Sequence, residues 1–181
     1  MKIIGVIPAR YKSSRLFGKP LVDILGKPMI EHVYDRASQS KLLSNVYVAT
    51  DDQRISDVCK KRNIDVIMTS DKHPTGTDRV AEVAEKLNGD IYVNIQGDEP
   101  MISPCSIDMA IKGLQDSNPP TVTCLMKKIE VVTDLLDTTV PKVVINDSCC
   151  AVFFSRQAIP YPKGRSDVNY YKQICVYAFT K

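Results

Sequence analysis

Four cationic side chains lie within ten residues near the start of the chain, in a segment that has no acidic residue before Asp23. They are Arg10, Lys12, Arg15 and Lys19. The segment follows an apolar run that predicts a buried first strand over residues 2–8. In open α/β sheets, ligands bind beyond the carboxyl ends of the strands. A basic cluster this dense therefore predicts a site for several phosphate groups, and the alternative is a solvated, flexible basic loop.

Two further clusters carry residue types that would complete a nucleotide site. Residues 75–79 read Thr-Gly-Thr-Asp-Arg, where Gly76 allows a close approach to a ligand and Thr77 or Asp78 can cap the next helix. Residues 96–100 read Gln-Gly-Asp-Glu-Pro at the tip of a predicted strand, and Mg²⁺ beside a triphosphate needs only one or two carboxylates. Taken alone, each cluster is more simply an ordinary turn. The expected meeting of the basic loop and the acidic tip at one sheet edge favours a nucleotide site.

The two histidines of the chain contribute less to this hypothesis. His32 lies within a predicted helix and is expected to be structural, whereas His73 borders the 75–79 cluster. No Ser/His/Asp arrangement, P-loop or G-x-G-x-x-G sequence occurs. We therefore expect cations and loop amides to hold the phosphates.

The elements that position these clusters alternate between strand and helix along the first two thirds of the chain. Strands are predicted at residues 2–8, 46–50, 66–69 and 90–96, with helices that begin near residues 28, 52, 78 and 103. This order predicts an α/β fold with a doubly wound, mostly parallel, Rossmann-like sheet. Strands prevail later, at residues 121–129, 140–145, 151–155 and 174–179. We expect a single domain, with a nucleotide-binding part at 1–120 and a strand-rich part at 121–181.

Composition excludes several classes of protein. The length of 181 residues and a hydrophobic content of 44% are typical of one globular domain. A net charge of +3 is too small to predict nucleic-acid binding, and no segment approaches the length of a membrane span or a signal peptide. The six cysteines include no C-x-x-C pair, so we expect them to be reduced and mostly buried in a cytoplasmic protein.

The three clusters and several later segments resemble those of the 3-deoxy-manno-octulosonate cytidylyltransferases, the CMP-Kdo synthetases. The segments that carry the resemblance are residues 8–21, 26–30, 48–51, 76–79, 96–100, 142–144 and 153–160. They occur in the same order along the whole chain, whereas acylneuraminate cytidylyltransferases share only the general loop pattern. The resemblance implies a fold of the nucleotide-diphospho-sugar transferase type, in which residues 121–181 bind the sugar and form a homodimer.

The resemblance also implies an activity and a set of site residues. CMP would pass from CTP to the anomeric hydroxyl of Kdo, releasing diphosphate, for lipopolysaccharide biosynthesis. The catalytic residues implied are Arg10, Lys19 and Asp98, of which Asp98 binds Mg²⁺. The nucleotide-binding residues implied are Ala9, Arg10, Arg15, Lys19, Thr75, Gly76, Thr77 and Arg79. The sugar-binding residues implied are Gln96, Arg156, Arg165, Gln173 and Tyr177, with Arg156, Lys163 or Arg165 pairing with the sugar carboxylate.

Three departures from the family pattern leave alternatives open. Phe17 stands where the family usually has Pro, and Gln173 stands where a sugar-contacting His is usual. The family also continues beyond the last residue here with a second metal-binding Asp, so we expect the chain to be truncated at its carboxyl end. The alternatives are a cytidylyltransferase for a related acidic or sialic-like sugar, and an inactive, truncated nucleotide-binding homologue.

Overall fold

A computed structural model of the protein describes residues 1–12, 16–115, 121–164 and 168–181. The chain forms two compact units, which are residues 1–123 with 176–181, and residues 124–175. The boundary at residue 123 lies close to the point near residue 120 where the sequence changes from alternating elements to strands. None of the helices among the described residues is long and apolar enough to cross a bilayer.

The first unit is built on a parallel sheet flanked by helices. Its elements in chain order are β1 (Ile3–Ala9), β2 (Asp23–Ile24), β3 (Lys27–Pro28), α1 (Met29–Ala37), β4 (Asn45–Thr50), α2 (Gln53–Lys61), β5 (Val66–Met68), α3 (Gly76–Lys86), β6 (Ile91–Ile95) and α4 (Pro104–Lys112). Parallel pairing gives the strand order β5-β4-β1-β6. Residues 176–180 pair with β6 in the antiparallel direction. The predicted α/β fold with a mostly parallel sheet is thus confirmed, and the small β2–β3 hairpin was not predicted.

The core of this unit follows from strands that are apolar on both faces. Every residue of β6 is buried, as are six of the seven residues of β1. Helix α3 packs Val80 and Val83 against Ile4, Val6 and Tyr92. Strands covered by helices on both faces need continuous apolar runs. Such runs in the sequence are the reason why these strands were located correctly.

The start of α3 differs from the sequence prediction. The helix begins at Gly76, and its N-cap is Thr75 rather than Thr77 or Asp78. The Thr75 hydroxyl accepts from the Asp78 amide at 3.3 Å, and the Asp78 carboxylate accepts from the Thr75 amide at 3.0 Å. This reciprocal capping box outcompetes a cap at Thr77, because it satisfies two backbone donors at once.

The second unit is mostly antiparallel. Its elements are β7 (Val122–Lys128, whose first two residues belong to the first unit), α5 (Val132–Leu136), β8 (Lys142–Ile145), β9 (Ala151–Ser155) and the first half of β10 (Tyr171–Thr180). Strand β8 pairs with β9 on one side and with the start of β10 on the other, both antiparallel. The late strands are as predicted, whereas the short helix α5 was not predicted.

The expectation that the cysteines are mostly buried was wrong. None of the six forms a disulfide, but only Cys59 is fully buried, where desolvation raises its pKa to about 11. Cys105, Cys149 and Cys150 are exposed. The sequence did not reveal this, because Cys105 lies on the outer face of α4 and the other two occupy the turn between β8 and β9.

A fully buried lysine organises the second unit. Lys142 donates three hydrogen bonds through Nζ to backbone carbonyls, those of Asp137 at 2.6 Å, Val140 at 2.9 Å and Arg156 at 3.1 Å. Burying an ammonium group is costly unless every donor is satisfied, and here three carbonyls replace its water shell. The side chain therefore fastens the turn before β8 to the end of β9.

We expect Lys142→Met to lower the free energy of unfolding by about 1–3 kcal/mol, because it leaves three inward-facing carbonyls without their donor. Lys172→Met is the matched control. Lys172 is the β10 residue in register with Lys142, and its Nζ pairs with the Asp134 carboxylate at 2.6 Å. Loss of that more accessible pair is expected to cost less than about 1 kcal/mol. Urea unfolding followed by circular dichroism measures both, and equal losses would contradict the assigned role of Lys142.

Candidate active site

A cavity of about 500 Å³ opens at the carboxyl edge of the parallel sheet. It is lined by Pro8, Ala9, Arg10, Leu16, Lys19, Pro20, Met29, His73, Pro74, Thr75, Gly76, Arg79, Gln96, Gly97 and Asp98. The lining comes from the segments that follow β1, β5 and β6. This is the edge at which open α/β sheets bind their ligands.

Pro8 lines the cavity and lies close to two glycines of the lining, Gly97 and Gly76. A Cβ on Gly97 would lie 2.7 Å from the Pro8 carbonyl oxygen, and a Cβ on Gly76 would lie 3.1 Å from Pro8 Cγ. At Gly97 a side chain is excluded by the Pro8 backbone, whereas at Gly76 a Cβ would press against the Pro8 ring. The lining near these glycines forms two groups, which we name the Gly97 flank (Lys19, Gln96, Gly97, Asp98) and the Gly76 flank (His73, Pro74, Thr75, Gly76).

The Gly97 flank carries opposite charges. Lys19 Nζ lies 2.6 Å from Asp98 Oδ2, and the two side chains are 38% and 50% exposed. The basic loop and the acidic strand tip therefore meet at the sheet edge, as the sequence predicted. Beside them, burial and then the charge of Asp98 raise the pKa of Glu99. An accessible ammonium and an accessible carboxylate can exchange partners when an anion and a cation bind.

Gly18, the residue before Lys19, is held by contacts with Tyr11. The Gly18 amide donates to the Tyr11 carbonyl at 2.9 Å, and Gly18 adopts a left-handed φ of 65° with its Cα close against the Tyr11 ring. The Arg54 guanidinium lies over that ring, 3.3 Å from its centroid. These contacts hold the backbone at Gly18, immediately before Lys19. Arg15, which the sequence predicts as a phosphate ligand, lies outside the described residues.

Hydrogen bonds of Glu82, a residue of α3, connect that helix to the Gly76 flank. One carboxylate oxygen accepts from the Ser70 amide at 2.8 Å and contacts His73 Nε2 at 2.5 Å, while the other accepts from Lys86 Nζ at 2.6 Å. Hydrogen bonds from Lys86, Ser70 and His73 lower the pKa of Glu82 to about 2. The carboxylate is therefore ionised at neutral pH and accepts hydrogen bonds only.

Arg79 reaches the cavity wall but is buried, with 3% of its surface exposed. Its guanidinium donates to the Thr69 hydroxyl and to the Ser70 carbonyl, and it faces Asp51 Oδ2 at 3.5 Å. These contacts connect α3 to the ends of β4 and β5. Its proposed contact with nucleotide remains a prediction, and its visible role is to support the Gly76 flank.

Eight of the residues predicted for the site line this one cavity. They are Ala9, Arg10, Lys19, Thr75, Gly76, Arg79, Gln96 and Asp98. Thr77 does not line it, because its hydroxyl turns inward and accepts from the Asn94 amide at 3.3 Å. Tyr177 stacks on Phe179 in β10, with ring centroids 6.3 Å apart.

The other predicted sugar ligands belong to the second unit or are not described. The Arg156 guanidinium donates to the backbone carbonyls of Thr138 and Thr139. The Gln173 side chain hydrogen-bonds Cys124, which partly offsets the rise in the pKa of that thiol caused by burial. Arg165 lies outside the described residues. The assignment of these side chains to the sugar remains a prediction.

Comparison with known proteins supports the expectation raised by the sequence motifs. Residues 4–181 match the family model described as cytidylyltransferase. A 3-deoxy-manno-octulosonate cytidylyltransferase from Escherichia coli is 45% identical over 180 residues, covering 99% of this chain and 73% of that protein. The chain belongs to this family.

Two further relatives agree with that membership. A 3-deoxy-manno-octulosonate cytidylyltransferase from Geotalea uraniireducens is 48% identical over 160 residues, or 88% of this chain, which spans only 64% of that protein's length. The solved structure of a CMP:2-keto-3-deoxy-manno-octonic acid synthetase complexed with CTP matches with a TM-score of 0.94 and 44% identity, covering 99% of this chain and 74% of its own.

The family implies a magnesium ion, and Asp98 fits one. No group of three or more His, Cys, Asp or Glu residues that could hold a metal occurs in the described parts of the chain. Mg²⁺ does not need such a group, because it keeps several waters and is often held by one or two carboxylates together with substrate phosphates. Asp98 is half exposed beside a cation that a phosphate can take over.

Sequence reasoning missed part of the lining. Pro8, Leu16, Pro20 and Gly97 lie next to predicted site residues, so their position in the motifs was the available signal. Met29 belongs to the 26–30 segment that carries the family resemblance, but no site role was predicted for it. His73 was noted as a neighbour of the 75–79 cluster that could touch a ligand, and its contact with Glu82 crosses nine residues, which no local pattern indicates.

The low pKa of Glu82 predicts a pH-dependent contribution to stability. The folded protein keeps this carboxylate ionised down to about pH 2, whereas its ordinary pKa is 4.5. The contribution is therefore fully present above about pH 5 and is lost as the pH falls towards 2.

We expect Glu82→Gln to destabilise the protein at pH 7 and to match the wild type near pH 2. Thermal unfolding across this range measures the effect. The exposed Glu85, substituted by Gln, is the control, and a constant difference between wild type and Glu82→Gln would contradict the prediction.

Proposed function

We propose that this protein transfers CMP from CTP to the anomeric hydroxyl of Kdo, giving CMP-Kdo and diphosphate. The observation that supports this most directly is the accessible pair of Lys19 and Asp98, set in a cavity at the carboxyl edge of a parallel sheet. A triphosphate with a divalent cation needs both kinds of charge in one place. Membership of the 3-deoxy-manno-octulosonate cytidylyltransferase family supplies the identity of the sugar.

The reaction needs positioning and charge stabilisation more than covalent chemistry. The anomeric hydroxyl of the sugar attacks the α-phosphorus of CTP in line and loses its proton to water, the bond to the bridging oxygen of diphosphate breaks, and diphosphate leaves with the negative charge. Arg10 and Lys19 stabilise the charge that develops on the phosphates. Fixed contacts at Tyr11 and Gly18 hold Lys19 in place before substrate arrives. Preorganisation of this kind removes part of the entropic barrier.

We assign Asp98 as the magnesium ligand. When bound, the ion would supply positive charge to the triphosphate and orient it. Lys19 would then exchange its contact with Asp98 for a phosphate oxygen, which leaves the Asp98 carboxylate available. The exchange is easy because an exposed ion pair is worth only about 0–1 kcal/mol.

The remaining assignments divide the substrates between the two flanks. Ala9 and residues 75–79 are proposed to surround the cytidine, and Gln96 to touch the sugar. Arg156, Arg165, Gln173 and Tyr177 are proposed as further sugar ligands. An arginine suits the sugar carboxylate because its planar fork donates two parallel hydrogen bonds.

We further propose that the protein is a homodimer, formed through β9 of the second unit. Val152, Phe153 and Phe154 are 65%, 61% and 43% exposed, and β9 ends the order of the described strands in the sheet. An edge strand with apolar side chains on both faces is a liability unless another chain covers it. We also propose a cytoplasmic location, because none of the six cysteines forms a disulfide.

Lys19→Ala should lower kcat/KM for CTP by about 100-fold, the loss typical of removing one preorganised charge-stabilising group. The assay measures diphosphate release from CTP, Mg²⁺ and Kdo. Lys27→Ala is the control, since Lys27 also forms an ion pair, with Asp35 at 2.9 Å, but does not line the cavity. Release that does not require Kdo, or equal activity in both variants, would refute the proposed function.

Phe153→Asp should convert the protein from dimer to monomer, because a charge at the centre of the apolar β9 surface cannot be buried without a partner. Light scattering coupled to size-exclusion chromatography gives the mass. Leu25→Asp is the control, because Leu25 is 96% exposed in the first unit, far from β9 in the chain. A wild-type protein that is monomeric at all concentrations tested would show that β9 is not a dimer interface.

A further inference from the structure

His73 is a cavity-lining side chain with no role in the transfer described above. Its ring belongs to the Gly76 flank, and Nε2 contacts the Glu82 carboxylate at 2.5 Å. That carboxylate is also held by the Ser70 amide and by Lys86, so its position is set by three groups. A histidine fixed this firmly at a cavity wall has the orientation of its ring restricted.

The contact with Glu82 determines which nitrogen of the His73 ring carries hydrogen. An ionised carboxylate can only accept, so Nε2 must be the donor. In the neutral ring, Nδ1 then has no hydrogen and can only accept a hydrogen bond. No described residue donates to Nδ1. In that tautomer Nδ1 is a hydrogen-bond acceptor, because Glu82 holds the hydrogen on Nε2.

The two flanks differ in a way that places the base beside His73. The Gly97 flank holds the ammonium of Lys19 and the carboxylate of Asp98, which suit a triphosphate and its cation. On the Gly76 flank, the His73 and Pro74 rings and the small Thr75 reach the cavity, and Glu82 is paired with His73 and Lys86. Arg79 also reaches the wall, but its guanidinium is buried and already donates to Thr69 and Ser70. A wall of two rings, with these charged groups already engaged, suits a planar base.

From these observations we propose that His73 distinguishes cytosine from uracil, with Nδ1 accepting a hydrogen bond from the 4-amino group, and that Glu82 is the positioning residue that fixes this tautomer. The inference rests on the proposed use of CTP. Uracil carries a carbonyl at position 4, so two acceptors would face each other and UTP would bind less well. The phosphates and ribose of the two nucleotides are the same, so their comparison isolates the base.

The test measures the affinity of the protein for CTP and for UTP, with Mg²⁺, by isothermal titration calorimetry. His73→Ala is expected to weaken CTP binding about tenfold, corresponding to loss of one good hydrogen bond, and to change UTP binding by less than about twofold. His32→Ala is the matched control, since His32 Nε2 also makes one hydrogen bond, to the Ile24 carbonyl at 2.8 Å, outside the cavity. The control should keep the wild-type ratio of the two affinities.

The Glu82→Gln variant tests whether Glu82 positions the His73 ring or only stabilises the fold. A glutamine amide can donate to Nε2 and so release the other tautomer, and we expect the preference for CTP over UTP to fall at least about threefold. In the His73→Ala background, the same substitution should leave the ratio unchanged, because the effect passes through the ring. A further change of the ratio in that background would overturn the role assigned to Glu82.

Three outcomes would overturn the inference in distinguishable ways. Equal weakening of CTP and UTP in His73→Ala would show that the ring supports the fold or a phosphate rather than the base. A wild-type protein that binds both nucleotides equally would remove the discrimination itself, while leaving nucleotide binding intact. Binding of neither nucleotide would refute the proposed function together with the inference. If His73→Ala does not fold, His73→Asn serves instead, and its rotatable amide should bring the two affinities within about threefold of each other.

Discussion

The approach of three backbone segments at Pro8 is the constraint on which the rest of the site depends. Pro8 lies near the end of β1, with its carbonyl against Gly97 and its ring against Gly76. Because both neighbours lack a Cβ, the segments that follow β5 and β6 can lie close to the end of β1. These two segments bring different side chains to the cavity, so its two flanks differ in chemistry. A side chain at Gly97 would clash with the Pro8 carbonyl and displace the Gly97 flank.

The flanks are supported by different kinds of interaction. Lys19 and Asp98 meet through an accessible ion pair of small net stability, which suits groups that must change partners during a reaction. His73, in contrast, is held by a carboxylate that has three donors, beside the buried guanidinium of Arg79. The charged groups of the Gly97 flank can therefore change partners, whereas His73 on the Gly76 flank stays in place.

Much of this arrangement could be predicted from the sequence because it follows from the order of strands. Parallel strands present their carboxyl ends at one edge, so the basic residues after β1 and the acidic residues after β6 had to come together. The contacts of Arg79 could not be predicted in the same way, because a motif does not tell whether a guanidinium faces a ligand or a buried carbonyl. The cap at Thr75 depended on a reciprocal bond with Asp78 that composition alone does not rank above Thr77. Exposure of the turn cysteines depended on where β8 and β9 end.

The buried ammonium of Lys142 has a consequence for how this protein can vary. Its three acceptors are main-chain oxygens, at residues 137, 140 and 156, so the interaction does not depend on which side chains stand there. A substitution at position 140 leaves the anchor in place, provided that the backbone keeps the same path. The lysine is also closed to acetylating or methylating enzymes, which need to reach Nζ, since the residue has no exposed surface. The side chain at position 142 is thus fixed by the packing and inert to modification, whereas the side chain at position 140 takes no part in holding it.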